Sequence, residues 1–344
     1  MLLHLLVGMF SGRALDAGFF KWVLIPGVIC TTVGLMLTSI STQYYQLFLA
    51  QGLLFGIGCG LQFTPCVSVV YTYFSSRKAL ACAVVASGGA TGGLIFPTIA
   101  RQLLPKLGFA WTMRINAFVG LAVGCCYCVF LKPRIPPRKS GPLLELRAFK
   151  EAPYTLYVLG VFLTSFGQLW AFYYIGPYAI DVLGASYSES INLLMVLNGV
   201  GLAGRIIPSY FADTVLGGLN TMIPAILASS VIMFCWPAVN SMAGLYVYAV
   251  VQGFVAASFQ GLFPSTLGTL TTDMTKIGVR TGQGFSVIAF ANLLGPPIAG
   301  ALVQRSGGKY LSAQMWSASM ILLGGLVLLA ARIKLTGLKL RAKV

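Results

Sequence analysis

The sequence predicts an all-α polytopic membrane protein of about ten full spans preceded by one partial span, and three observations carry that expectation. Apolar residues make up 57% of the 344-residue chain and charged residues 9%, where soluble domains hold roughly 45–50% and 25%. The apolar residues fall in runs about 20 long, the length that crosses a ~30 Å hydrocarbon core at ~1.5 Å per helical residue. Nearly all the charge sits in the short connections between those runs. Lipid offers no partner to an open peptide group, so such runs must be helices. A β-barrel would need alternating segments of about 10 residues, which these are not.

Taken in order, spans are expected at about 22–40, 45–71, 80–103, 109–131, 154–181, 189–212, 219–240, 243–267, 280–303 and 309–331. Residues 1–10 are apolar but too short to cross, and they lack the cationic start and cleavage site of a signal peptide. They read as the last half of a helix. The connection 132–153 is the longest, and it alone is both basic and proline-rich (Lys132-Pro-Arg-Ile-Pro-Pro-Arg-Lys139). It separates an N-terminal bundle, 1–131, expected to be incomplete, from a C-terminal six-helix bundle, 154–331, with a basic tail over 332–344.

Cations set the orientation. With 132–153 in the cytosol, Arg13, Lys21, Arg77, Lys78, Lys132, Arg134, Arg138, Lys139, Arg147, Lys150, Lys276, Arg280 and the tail share that side. Only Arg101, Lys106, Arg305 and Lys309 lie opposite, with Asp181 and Glu189. The net charge of +16 therefore reports topology, and no nucleic-acid partner is expected. The eight cysteines (30, 59, 66, 82, 125, 126, 128 and 235) lie almost entirely inside apolar runs, with neither metal-ligand nor secreted-disulfide spacing. They read as small buried residues, with acylation of Cys125, Cys126 or Cys128 the weaker alternative. No metal, cofactor or enzymatic activity is expected: no Ser/His/Asp set, metal cluster or P-loop is present. Gly56-Ile-Gly58-Cys-Gly60 lies in an apolar run, outside the strand-turn-helix setting of nucleotide sites.

The two halves repeat each other. Asp16 with Pro26 matches Asp213 with Pro224. Gln51-Gly52 and Gly60-Leu61 match Gln252-Gly253 and Gly261-Leu262, and Arg77 with Gly92 matches Arg280 with Gly295, always about 200 residues apart and on the same membrane side. Same-sided repeats predict two parallel bundles related by an axis along the membrane normal.

The first motif is Gly12-Arg13-Ala14-Leu15-Asp16, with its counterpart running from Gly204-Arg205 to Asp213. An acid at the cytosolic end of a helix beside basic residues can lock neighbouring helices by charge. Arg13, Asp16, Arg77, Asp213 and Arg280 are the expected members of such a lock. The plainer reading is an aspartate capping the next helix.

Three stretches now carry a resemblance: Gly204-Arg-Ile-Ile-Pro-Ser-Tyr-Phe-Ala-Asp213, Gly295-Pro-Pro-Ile-Ala-Gly300, and Arg77-Lys-Ala-Leu-Ala continuing through Ser87-Gly-Gly-Ala-Thr-Gly-Gly93. The chain resembles the major facilitator superfamily along essentially its whole length, and more narrowly its monocarboxylate-porter-like branch common in fungi. In the Asp16 loop Ala17 and Phe19 replace the family's usual basic residue and glycine, while Lys21 is kept. The resemblance implies a twelve-helix, two-bundle secondary transporter working by alternating access. It also implies a first helix, with its lysine, that is not found here. Animal members carry an aspartate four residues before the arginine matching Arg205, where this chain has Gly201.

Arg205 is the strongest candidate for a substrate contact. It lies eight residues before Asp213, so about 12 Å inside the boundary at ~1.5 Å per residue. An arginine at that depth costs at least ~2.5 kcal/mol unless it meets a polar cavity or a partner. The seven acids (Asp16, Glu145, Glu151, Asp181, Glu189, Asp213 and Asp273) all lie in or beside loops. A guanidinium without a counter-ion suits a carboxylate; the alternative is hydrogen bonding to nearby carbonyls. Arg114, beside Trp111, is expected to snorkel instead. The same census leaves no intramembrane carboxylate for a proton relay, and the one histidine, His4, lies in the partial span.

Gln62, Gln168, Tyr173, Tyr174, Asn198, Gln252, Gln260, Ser265 and Asn292 are the other polar residues inside spans. The resemblance places the spans at 45–71, 154–181 and 243–267 along the central path. Gln62, Gln168, Tyr173 and Gln260 are therefore expected at the substrate, with Asn292 beside them; helix–helix hydrogen bonding is the alternative for each. Gly52, Gly56, Gly60, Gly88, Gly92, Gly295 and Gly300 are expected at close helix contacts. Pro65, Pro97, Pro177, Pro264, Pro296 and Pro297 are expected to bend their spans.

Three functions stand open: a carrier for a small organic anion such as a monocarboxylate, an exporter of a fungal secondary metabolite, and a membrane sensor that does not transport. The expected partners are the lipid bilayer and a small-molecule substrate with a carboxylate. The chain is expected to act as a monomer in the plasma membrane, with the vacuolar membrane as the alternative.

Overall fold

A computed structural model describes residues 2–74, 76–134, 145–271 and 276–337. Residues 135–144 of the connection 132–153 and residues 338–344 of the tail lie outside the described residues, so the expectations placed there have no structural account. Among the described residues every regular element is helical.

The helices are α1 (Leu2–Asp16), α2 (Phe20–Ile40), α3 (Tyr44–Tyr73), α4 (78–107), α5 (109–130), α6 (Ala152–Leu183), α7 (Tyr187–Phe211), α8 (Gly218–Cys235), α9 (Met242–Thr269), α10 (Ile277–Arg305) and α11 (Leu311–Thr336). α4 and α5 run on as one stretch, Lys78–Phe130, interrupted at Gly108 with φ 74° and ψ 176°. Its 53 residues would reach about 80 Å as one helix, far beyond a ~30 Å core. The glycine, free to take a positive φ, turns it into two spans. Ten spans follow α1, as the hydropathy predicts, with ends shifted by a few residues.

Local chemistry starts and stops several of them. Ser186 and Glu189 form a reciprocal capping box at the start of α7. Gly184, at φ 67°, closes α6 in the left-handed conformation. α3 opens with a π-helical stretch, Phe48–Leu54, and α7 ends in another, Ala212–Leu216.

The outward surface is apolar, the reverse of a soluble protein. On α2 a stripe at helical spacing, Trp22, Ile25, Ile29, Val33, Leu37 and Ile40, is exposed throughout, from 41% to 79%, as a lipid-facing side must be.

By contact the chain forms two compact units. The first comprises Met1–Tyr73, Ile95–Glu145 and Thr271–Ala289; the second comprises Phe74–Leu94, Leu146–Leu270 and Phe290–Val344. In the first, α1 and α2 pack on α3. A Cβ on Gly60 would lie 2.7 Å from the His4 carbonyl oxygen, and one on Gly56 3.2 Å from Leu3 Cβ. Phe20, Leu24 and Val69 form its apolar kernel, backed by Leu15, Cys66, Tyr127, Cys128 and Leu131.

In the second unit α7 packs on α9 and α6 on α11. A Cβ on Gly204 would overlap the Phe254 carbonyl oxygen, and one on Gly253 would lie 2.6 Å from that of Leu197. Gly295 lies against the Phe166 backbone, 2.5 Å for a Cβ, and Gly300 against the Tyr174 hydroxyl, 2.6 Å. Trp170, Tyr174, Tyr178, Trp236, Tyr248 and Tyr310 gather into one aromatic nest, with Trp170 and Trp236 edge to face at 4.9 Å.

Two glycines expected at helix contacts do not make them. Gly88 has no neighbour where a Cβ would stand, and Gly52 is exposed, meeting only the ring of Phe48 on its own helix. Gly92 is half-buried. Spacing marks residues as small without saying which way their face turns.

Gly204→Ala should therefore destabilise by about 1–3 kcal/mol through overpacking, while Gly88→Ala should be neutral or gain up to ~1 kcal/mol of helix propensity. Detergent-solubilised thermal unfolding of the two variants checks the contrast.

Candidate substrate site

Arg205 is held by the tightest part of the α7–α9 contact. Gly204, the residue before it, touches Phe254, and Ser258 Oγ donates to the Gly204 carbonyl at 3.1 Å. Gly261 lies over the Arg205 backbone, with 3.3 Å from a Cβ to its Cα. The side chain is 5% exposed. Its Nη1 donates to the Gly201 carbonyl at 3.0 Å, and its Nη2 donates to Gln260 Oε1 on α9. Nε is buried without a hydrogen-bond partner among the described residues. A Cβ on Gly201 would lie 2.9 Å from Nη1, so the guanidinium occupies the room that an aspartate would need there. No carboxylate among the described residues reaches it.

Of the expected substrate residues, the structure brings Arg205 and Gln260 together. Gln62 donates to Thr31 Oγ1 at 3.2 Å and to the Gly58 carbonyl at 3.1 Å, and accepts from the Tyr127 hydroxyl. It therefore ties α2, α3 and α5 together. Gln168 is 2% exposed and accepts from Ser229 Oγ at 3.4 Å, while Gln252 donates to the same oxygen at 2.9 Å. That chain joins α6, α8 and α9 and leaves Gln168 Nε2 buried without a hydrogen-bond partner among the described residues. Tyr173 is 49% exposed on α6, and Asn292 is half-buried on α10. Tyr174 donates to the Pro296 carbonyl at 3.3 Å, Asn198 to that of Leu194 at 2.9 Å and Ser265 to that of Leu262 at 2.9 Å. Arg114 donates to Ser39 Oγ and lies 5.1 Å from the Trp111 ring, a cation–π contact.

The charged residues at the helix ends divide between two arrangements. Asp213 accepts from the backbone N–H groups of Ala79 and Leu80 at 3.0 and 2.8 Å. It caps a helix, but α4, and not α8, which follows it in sequence. Asp16 sits equivalently against the start of α10, where a Cβ on Gly278 would lie 2.5 Å from its carboxylate. Arg280, 3% exposed, pairs with Glu145: Nε to Oε2 is 3.0 Å, and Lys276 Nζ reaches Oε1 at 2.7 Å. Arg77 departs from expectation. It is exposed in the turn before α4, where its carbonyl accepts from Ala81, and its side chain joins no ion pair among the described residues. Arg13, on the last turn of α1, leaves Nη1 without a hydrogen-bond partner among them.

Sequence reasoning missed Glu145 and Tyr127. Neither stands in a motif, and Glu145 lies more than 130 positions from its partners. Burial works to raise the Glu145 carboxyl, but the hydrogen bonds and charges of Lys276 and Arg280 outweigh it and hold the pKa below the ordinary carboxylate value.

A chain of repeated apolar helices, with a buried arginine at depth and an aspartate, Asp213, capping a helix start from the other half of the sequence, is a polytopic helical membrane protein. The Major Facilitator Superfamily model matches residues 1–276, and the chain belongs to that family. It is 42% identical over 332 residues to an MFS-type transporter of Gibberella zeae, covering 96% of this chain and 75% of that one. It is 32% identical to the aspyridones efflux protein apdF of Emericella nidulans, covering 94% and 66%. Among solved structures, the human organic anion transporter MFSD10 (TETRAN) superposes with a TM-score of 0.76 at 16% identity, over 95% of this chain and 81% of that one.

Two substitutions test the end contacts. Asp213→Ala should cost about 1 kcal/mol as a lost helix cap. Glu145→Gln should cost about 2–3 kcal/mol near neutrality, between the exposed and buried ion-pair limits. Because the folded-state pKa of Glu145 is depressed, the stabilisation is present above its unfolded pKa and is lost as pH falls through the folded value. Melting curves of wild type and Glu145→Gln should therefore converge in acid and separate towards neutral pH.

Proposed function

We propose that this transporter exports a small organic metabolite bearing an acidic group, cycling by alternating access with Arg205 and Gln260 at the substrate. The buried guanidinium of Arg205 carries the reading. Its Nε–H is unclaimed and no carboxylate lies beside it among the described residues, so an incoming carboxylate would extend its hydrogen bonding and neutralise its charge. A relative named for the efflux of aspyridones supports export of a secondary metabolite over uptake of a small monocarboxylate. Arg205 alone favours the monocarboxylate as a second reading. In this proposal the cation-rich side, with the 132–153 connection and the C-terminus, faces the cytosol of a plasma-membrane protein.

Inside-out vesicles given an acidic metabolite and its methyl ester provide the test. Arg205→Ala should lower uptake of the acid at least tenfold, in line with a charged hydrogen bond of ~1.5–3 kcal/mol, and leave the ester within about twofold. Equal loss for acid and ester would remove the anion role. Transport of neither compound, nor of lactate, by the wild type would favour the sensor.

A further inference from the structure

We infer that the substrate is read first by Gln260 and Phe263 of α9, and that it is a flat, conjugated acid such as an aryl carboxylate. The inference rests on the export reading, whose site it shares, and it names the class of compound that site takes.

The orientation of the Gln260 amide is fixed by chemistry. A guanidinium only donates hydrogen bonds, so the amide oxygen must be the atom that faces Arg205, and Oε1 accepts from Nη2. The amide nitrogen is therefore turned away from the cation. Gln260 is half-buried, and its Nε2 is neither hydrogen-bonded nor enclosed among the described residues. Arg205 is only 5% exposed. A ligand approaching α9 thus meets the two amide N–H groups, with the guanidinium behind them supplying the charge. An oxygen bonded to a cation polarises its amide and makes the N–H groups better donors. Free N–H groups set against hydrocarbon are costly, so this surface suits a polar partner. Two donors and a cation select an acceptor, a carbonyl or a carboxylate.

The ring comes from the next turn. From Ala256 to Gly268 every residue of α9 is buried except Gln260 and Phe263. Three positions apart, the two share a face of the helix. Phe259 backs the Phe263 ring, with centroids 5.7 Å apart and planes at 24°. The Tyr157 hydroxyl donates to the Phe263 carbonyl at 2.7 Å and ties its backbone to α6. Phe259 is 4% exposed, so the open surface of the stack belongs to Phe263. An aromatic ring held beside a donor favours a flat ring that carries an acceptor over a saturated one of equal charge.

The test is calorimetric titration of the purified transporter in nanodiscs, against empty nanodiscs. The probes are naphthoate, naphthamide, which keeps the ring and carbonyl without the charge, and decalin carboxylate, which keeps the charge without the flat ring. Wild type should bind naphthoate most tightly. Gln260→Glu keeps an oxygen for Arg205 and removes the donors, so it should weaken naphthoate and naphthamide about tenfold in protein that melts no lower than wild type. Gln260→Met serves if that variant aggregates. Phe263→Leu should weaken both flat probes about fivefold and leave decalin carboxylate within about twofold. Arg205→Ala should weaken naphthoate and spare naphthamide, as the export reading requires. Given that result, unchanged binding in the Gln260 variants, or equal weakening of all three probes by Phe263→Leu, overturns the flat-acid inference alone. Equal loss of naphthoate and naphthamide in Arg205→Ala overturns the anion role instead, and a wild type that binds none of the probes overturns both.

Discussion

Once the apolar spans lie in lipid, nothing drives them together by expelling water, because the solvent is as apolar as the helices. Backbone polar groups must be closed within each helix, and the association of helices then rests on close contact between small residues. The contact of α7 with α9 is where this constraint is most severe. Gly204 and Gly253 each admit a neighbouring backbone to a distance that no side chain would allow. Everything said of Arg205 depends on that approach. It encloses the guanidinium and brings Gln260 within reach of it.

Polar side chains at depth fall into two kinds. The chain of Gln168, Ser229 and Gln252, and the Gln62–Tyr127 pair, each bond across to other helices, with Gln168 Nε2 and Gln252 Oε1 left without partners among the described residues. They act as fasteners, made effective by surroundings that offer no competing water. Arg205 differs from them in carrying a charge. Its two satisfied nitrogens hold it in place, and the third, with the charge, is left over. That condition is the basis of the proposed substrate contact.

The ends of the helices obey another balance. There water is near, and charges are cheap to expose but weak as fasteners. Asp213 and Asp16 are placed against the starts of helices, where open N–H groups and the helix dipole favour a carboxylate. Glu145 uses the remaining device, a half-enclosed pair of cations. The two aspartates stand at matching points of the internal repeat and do matching work on α4 and α10, while Arg77 and Arg280, also matched in sequence, do not. The difference is local: Arg280 lies inside its helix and is covered, whereas Arg77 lies in a turn and reaches water.

Composition, the length of the apolar runs and the placement of cations determined the helical class, the ten spans after α1 and the internal repeat, because the bilayer imposes one thickness on every span. Depth along a helix was legible as well, so Arg205 could be singled out by counting from Asp213. Direction around the helix was not. Gly52 and Gly88 have the spacing of packing glycines, yet Gly88 faces open space and Gly52 only the Phe48 ring of its own helix, and Gln168 has the depth of a path residue and meets Ser229 of α8. With apolar residues on every side, a span carries little amphipathic signal to say which face meets lipid, a neighbour or substrate. Only the tertiary structure decided that, by bringing together residues as distant in sequence as Glu145 and Arg280, and by setting Gln260 against Arg205 through glycines whose one property is the absence of a side chain.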